Sequence, residues 1–178
     1  MFVSAVVVLH LQVAASDVLL ASSELPLGYL NPHAIMTGFV VSPDSKHFAY
    51  PAAFFGKLWV TVDDKEGKEY EGIGDTGIVF SRDSTRVAYT AQRGGKWFAV
   101  VDGVEGKEYD SVGLPVFSPD GEHVAYGVRQ GSKGFVVLDG QDGTAYDGVG
   151  DSGPTFSPDS KHVLYGANRG TKWFWPCP

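Results

Sequence analysis

Residues 76–113 read TGIVFSRDSTRVAYTAQRGGKWFAVVDGVEGKEYDSVG, and the chain contains three imperfect copies of this stretch. The serine of its first turn, Ser81, recurs as Ser42, Ser118 and Ser157, at intervals of 39, 37 and 39 residues. Repeats of this length, made of short apolar segments separated by turn residues, predict a tandem array of similar structural units.

Each copy predicts four short strands. In the second copy we expect them at 77–80, 86–92, 96–102 and 107–112, separated by SRDS, RGG and GVEG. The Ser-Pro-Asp and Asp-Gly sequences at these places suit tight turns. Alternation within 96–102 places apolar side chains on both faces, so this strand needs cover on both sides. Small antiparallel sheets covered on both faces and repeated in this way predict the blades of a β-propeller.

One link between copies differs in length. A lysine follows the repeated tyrosine by seven residues in every copy, so that segment is constant. The link that follows Tyr109 is two residues shorter than the links that follow Tyr70 and Tyr146. Links that accept a deletion are expected to be surface loops.

The motif FSPDSKHVLY at 156–165, together with the KWF, VDG and GKEYD segments of the repeat, resembles the TolB-type, WD-like β-propeller repeats of bacterial proteins. The resemblance covers about 37–175 and concerns the fold more than any activity. The Trp-Asp ending and Gly-His opening of eukaryotic WD repeats are absent. The resemblance implies a binding role in a bacterial cell envelope or outside the cell.

We therefore predict an all-β fold of about four propeller blades, the last of them incomplete, in an open or partial propeller. The expected blades cover 37–75, 76–113, 114–152 and 153–175. The fourth copy ends within its third strand, and an unpaired sheet edge requires cover. An N-terminal strand at 6–13 or 26–30, a second copy of the chain in a homodimer, or a larger propeller could supply it.

Residues 1–45 contain no Lys or Arg, and the start of the chain is apolar. Residues 1–16 resemble the apolar region of a secretory signal peptide without its basic start, but they also suit a buried strand. Both interpretations stay open. Residues 17–36 show no alignable copy and are expected to be an extension or a closing strand. We expect a periplasmic or extracellular protein, with a cytoplasmic one as the alternative.

Composition excludes several classes of function. The formal net charge of −7 and the pI near 5.1 argue against binding to nucleic acid. The apolar N-terminal run is too short and too polar to predict a transmembrane span. The one cysteine, Cys177, leaves no internal disulfide.

The polar motifs favour turns over chemistry. His47, His123 and His162 recur at one repeat position and would lie on different blades, so we predict no metal site. The three Ser-Pro-Asp turns and the similar Ser-Arg-Asp turn at 81–83 are explained by turn geometry better than by a catalytic triad. The acidic third turns lack the spacing of calcium loops. We therefore expect no cofactor and no catalytic residue.

The candidate binding residues are the basic side chains of the second turns. They are Arg93, Lys96, Arg129, Lys133, Arg169 and Lys172. These turns share one rim with the links between copies, and they would lie close to Glu71, Asp75, Asp110, Asp147 and Asp151. We consider a ring of arginines at the mouth of the propeller, which would bind an acidic ligand or a partner loop.

The leading hypothesis is a non-catalytic propeller module that binds a protein or an extended ligand on its rim. The alternative is the accessory propeller of a serine hydrolase of the prolyl-oligopeptidase type, inactive without an α/β domain. The repeats carry the fold, and a fold by itself does not specify a function.

Overall fold

The repeated sequence folds into repeated antiparallel sheets. The computed structural model describes residues 32–75, 77–150 and 152–175. The predicted segments 1–16, 6–13 and 26–30 lie outside the described residues. The strands are β1 (Val40–Val41), β2 (Phe48–Phe54), β3 (Lys57–Val62), β4 (Lys65–Glu66), β5 (Gly72–Ile73), β6 (Val79–Phe80), β7 (Val87–Arg93), β8 (Lys96–Val101), β9 (Val104–Glu105), β10 (Ser111–Val112), β11 (Val116–Phe117), β12 (Val124–Gln130), β13 (Lys133–Leu138), β14 (Gln141–Asp142), β15 (Gly148–Val149), β16 (Thr155–Phe156), β17 (Val163–Leu164), β18 (Ala167–Arg169) and β19 (Lys172–Phe174).

The second sheet shows the plan of a complete unit. Its innermost strand is interrupted, because β5 and β6 pair with the two ends of β7. β7 then pairs with β8, and β8 pairs with β9. The hairpin between β8 and β9 turns at Asp102 and Gly103, whose φ angles are 53° and 79°. Asp-Gly is the sequence that such a turn prefers, so the acidic third turn is a hairpin, as predicted.

The predicted fourth strand at 107–112 is wrong as a single strand. Tyr109 pairs with Trp97 of its own sheet, whereas Ser111 and Val112 pair with β12 of the next sheet. The chain crosses between the sheets at Asp110, whose N–H donates to the carbonyl of Arg129 at 2.9 Å. The four residues 109–112 therefore belong to two sheets, because their backbone groups find partners on both sides.

The first sheet begins earlier than the repeated sequence indicates. Ala34 pairs with Ala52, and the N–H of Ile35 donates to the carbonyl of Pro51 at 2.7 Å. This segment pairs with β2 as β5 pairs with β7. Part of the predicted 17–36 extension is thus the first half of an innermost strand, which a 3₁₀ turn at Met36–Gly38 separates from β1.

Successive sheets pack face to face through aromatic rings. Tyr70 of the first sheet packs edge-on against Phe98 of the second, with ring centroids 5.6 Å apart. Tyr109 packs in the same way against Phe135, and Tyr146 packs against Phe174. The predicted two-sided burial of the third strand is confirmed for its central residues, since Phe98, Ala99 and Val100 are all buried.

This construction is that of a β-propeller, in which small antiparallel sheets stack around an axis. In the fourth unit, β15, β18 and β19 form a three-stranded sheet, the fourth sheet, in which β19 is an edge strand within the described residues. β16 and β17 form a separate pair. The all-β propeller with an incomplete last blade is therefore confirmed, in an open or partial arrangement. Among the described residues no helix is long and apolar enough to span a membrane.

Candidate binding site

Acidic side chains of the links form hydrogen bonds with backbone N–H groups of the second turns. Glu71 Oε2 accepts from the N–H of Gly94 at 2.8 Å. Asp110 Oδ2 accepts from the N–H of Gly131 at 2.6 Å, and Asp147 Oδ2 accepts from that of Gly170 at 2.7 Å. The predicted proximity of these three acids to the second turns is confirmed.

The candidate lysines Lys96 and Lys133 belong to the same network. Lys96 Nζ donates to Asp110 Oδ1 at 2.5 Å, and Lys133 Nζ donates to Asp147 Oδ1 at 2.6 Å. The hydrogen bond from each lysine is the main cause that lowers the pKa of its aspartate. Each aspartate thus joins a lysine of one sheet to a turn of the next. Lys172 has no such partner within the described part of the chain.

Arg93 and Arg169 lie between sheets and stack on aromatic rings. The Arg93 guanidinium carbon is 5.2 Å from the centroid of Phe98 and 5.7 Å from that of Tyr70, and Nη2 lies 2.8 Å from Glu105 Oε1. The Arg169 guanidinium carbon is 5.2 Å from the centroid of Tyr146. Such cation–π contacts hold both arginines at the sheet interfaces.

Arg129 occupies a different place from the other two arginines. It pairs with Gly134, as Gln92 pairs with Trp97, whereas Arg93 pairs with Lys96. Adjacent residues of a strand point to opposite faces, so Arg129 faces the fourth sheet while Arg93 faces the first. The ring of three arginines considered from the sequence is therefore wrong, because one of them is out of register by one residue.

A cavity of about 450 Å³ opens between the third sheet, which contains β10 to β14, and the fourth sheet, and Arg129 lines it. Its other walls are the inner strand of the third sheet, the backbone of Gly127 and Gly134, and the inner strand of the fourth sheet. The lining residues of these strands and of the links beside them are Ser111, Val112, Gly113, Leu114, Val116, Gly148, Val149, Gly150, Ser152 and Gly153, and Val128 of β12 also lines the cavity. The side chain of Arg129 is exposed, and its guanidinium has no hydrogen-bond or ion-pair partner within the described residues.

The opposite rim carries a second repeated network of hydrogen bonds, in which His47 and His123 each contact an aspartate. His47 Nδ1 lies 2.6 Å from Asp63 Oδ2, and His123 Nδ1 lies 2.7 Å from Asp139 Oδ2. The hydrogen bond to Asp139 raises the pKa of His123 above its ordinary value. In the second copy Arg86 occupies this position, and its Nη1 also donates to the carbonyl of Glu122 in the next sheet at 2.8 Å.

The Ser-Pro-Asp turns form closed hydrogen-bond loops instead of a catalytic triad. Ser42 Oγ donates to Asp44 Oδ1 at 2.6 Å and accepts from the N–H of His47 at 2.9 Å. The ring of His47 contacts Asp63, and the hydroxyl of Ser42 makes its hydrogen bonds within the turn. No group of three His, Cys, Asp or Glu side chains that could hold a metal occurs within residues 32–75, 77–150 and 152–175.

These turns predict how the protein responds to acid. The hydrogen bond from Ser42 is the largest of the causes that lower the pKa of Asp44 to about 2, below its ordinary value of 3.8. A carboxyl whose pKa is depressed by folding stabilises the protein above its unfolded pKa, and this contribution is lost as the pH falls through the folded pKa. We expect the carboxyl contribution to the free energy of unfolding to be complete above about pH 5 and to fall between about pH 4 and 2. The raised pKa of His123 acts in the opposite sense, because its contribution is complete at low pH and is lost as the pH rises through that pKa.

Carboxyl titration by NMR checks this expectation at one residue. Asp44 should titrate near pH 2 in the wild type and at a higher pH in Ser42→Ala, because the variant lacks the main hydrogen bond to the carboxylate. A midpoint for Asp44 near 3.8 in the wild type would contradict the hydrogen-bonded turn.

No protein-family model and no curated protein matches this chain. Similar solved structures include TolB from Acinetobacter baumannii, with 17% identity over 87% of this chain and 43% of that chain and a TM-score of 0.49. The β-propeller domain of the Trilobed protease from Pyrococcus furiosus shares 14% identity over 88% of this chain and 57% of that chain, with a TM-score of 0.48. The acylaminoacyl peptidase of Pyrococcus horikoshii shares 11% identity over 88% of this chain and 32% of that chain, with a TM-score of 0.47. This chain spans less than two thirds of each of these proteins.

Proposed function

We propose that this protein is a non-catalytic binding module that recognises a protein or an extended ligand on the rim of second turns and links. The observation that supports the proposal is the cavity beside Arg129. A cavity of about 450 Å³ is within the range of about 300–1,000 Å³ that is usual for ligand sites.

Four of the other five basic side chains of this rim have structural partners. Lys96 and Lys133 are held by the link aspartates, and Arg93 is held by Glu105. Arg169 stacks on Tyr146. Arg129 lines the cavity, and its guanidinium has no partner within the described residues, so it is available to bind a ligand. A guanidinium fork binds carboxylates in a planar, bidentate geometry, so a carboxylate is the group that we expect on the partner.

Binding to an array of short peptides tests the proposal. We expect the protein to retain peptides that carry Asp, Glu or a free C-terminal carboxylate. Arg129→Gln should weaken this binding about tenfold or more, since a hydrogen bond to a charged group is lost. Glutamine stands at the equivalent position in the second copy, as Gln92, so the variant should fold.

Arg93→Gln and Arg169→Gln are the matched controls. Both arginines lie on the same rim and lose one positive charge in the same way, but neither lines the cavity. They should leave peptide binding nearly unchanged. Retention of no carboxylate-bearing peptide, or equal losses in all three variants, would contradict the proposal.

The absence of catalysis and the location of the protein are parts of the same proposal. The net charge of −7 favours a partner other than nucleic acid, and we place the protein in the periplasm or outside the cell. A homodimer that completes the ring stays a prediction. Hydrolysis of a panel of peptides or esters by the pure protein would contradict the non-catalytic role and favour the hydrolase alternative.

A further inference from the structure

The third copy departs from the repeat in three ways. Gly134 stands where the second copy has Trp97 and the fourth has Trp173. Arg129 stands where these copies have Gln92 and Asn168. The inner strand of the third copy also contains the link that is two residues shorter. These three differences lie apart in the sequence. The residues concerned nevertheless all line the cavity between the third and fourth sheets.

The tryptophan of the second copy shows what the third copy lacks. The Trp97 ring reaches the inner strand, where its Cη2 lies 3.6 Å from the position of a Cβ built on Gly72. In the third sheet the equivalent of Gly72 is Ser111, and no ring extends over it from Gly134. The space beside the inner strand therefore opens into the cavity.

Glycine at position 134 also brings the fourth sheet close. A Cβ on Gly134 would lie only 3.0 Å from the backbone nitrogen of Val149, so a side chain here would push the sheets apart. Val149 packs with the aromatic cluster of Tyr146 and Tyr165 and presents an apolar wall. The cavity consequently combines apolar and backbone walls with one unpaired cation at its edge.

We propose that this cavity binds an aromatic side chain of a partner peptide, with a carboxylate next to the ring bound by Arg129. The proposal rests on the proposed function and specifies its ligand. The cavity lies on the face of the third sheet that corresponds to the face covered by Trp97 in the second sheet, and apolar burial of the ring provides the driving force. The carboxylate supplies the partner that Arg129 lacks among the described residues.

Three small probes separate the two parts of this recognition. N-acetyl-tryptophan carries both the ring and the carboxylate, N-acetyl-alanine carries only the carboxylate, and N-acetyl-tryptophanamide carries only the ring. For a probe of this size bound in a pocket we expect a Kd on the order of 1 mM for N-acetyl-tryptophan. The other two probes should bind at least about tenfold more weakly.

Titrations followed by NMR measure these affinities in the wild type and in two variants. Arg129→Gln should weaken N-acetyl-tryptophan about tenfold and leave N-acetyl-tryptophanamide unchanged, whereas Arg93→Gln should alter neither. Equal binding of N-acetyl-alanine would overturn the aromatic subsite and leave the carboxylate-binding module intact. Equal binding of N-acetyl-tryptophanamide would overturn the role of Arg129. No saturation with any probe up to about 10 mM would overturn this inference, whatever the peptide array retains.

Discussion

Replacement of Phe98 by alanine is expected to lower the free energy of unfolding by about 3–5 kcal/mol. Phe98 is 1% exposed and lies in the core cluster with Tyr70 and Tyr89, at the interface of the first and second sheets. The substitution removes the ring of Phe98, which packs within its own sheet and against Tyr70 of the first sheet. Urea denaturation followed by far-ultraviolet circular dichroism measures the loss.

Trp173→Ala is the control for this effect. Trp173 is also an aromatic residue of a third strand, but it is 63% exposed on the last sheet. An exposed residue outside such packing contributes little, so we expect a change within about 0.5 kcal/mol. Equal losses in the two variants would contradict the assignment of Phe98 to an interface between packed sheets.

Ser81→Ala should have the second-largest effect, a loss of about 1–3 kcal/mol. The Ser81 side chain is fully buried, where Oγ donates to Asp83 Oδ1 at 2.6 Å and accepts from the N–H of Arg86 at 3.0 Å. Alanine leaves both groups without this partner. Because the hydrogen bond from Ser81 is the largest cause of the lowered pKa of Asp83, that pKa should rise in the variant.

The fourth copy provides a matched control in Ser157→Ala. Ser157 makes the same contacts, to Asp159 at 2.5 Å and to the N–H of His162 at 3.0 Å, but it is partly exposed. Water can replace those hydrogen bonds, so we expect a loss below about 1 kcal/mol. A larger loss for Ser157→Ala than for Ser81→Ala, in the same denaturation experiment, would show that burial does not determine the strength of these turns.

The repeat period and the turn residues were enough to predict the propeller sheets. Asp-Gly at 102–103 forms the expected hairpin, and the apolar faces of β8 are covered on both sides. The prediction of a single outer strand at 107–112 is wrong because a sequence pattern does not determine which sheet a segment pairs with. The chain crosses to the next sheet at Asp110, as shown by the hydrogen bond from its N–H to Arg129 and by the pairing of Ser111 and Val112.

The candidate site was predictable only in part. Arg129 follows Tyr126 by three residues, whereas Arg93 follows Tyr89 by four, so the spacing already contained the difference in face. Residue type alone does not show this difference, because all three residues are arginines. Gly134 and the shortened link were each visible in the sequence, but they come from different strands. Their meeting at one cavity depends on how the third and fourth sheets pack.

Mapping of N-acetyl-tryptophan binding on the amide resonances of the protein locates the binding site directly. We expect the shifted amides to cluster at Gly127, Gly134, Gly148 and Gly150, around the cavity between the third and fourth sheets. Shifts confined to the opposite rim, near His123 and Asp159, or an unchanged spectrum at saturating probe, would contradict it.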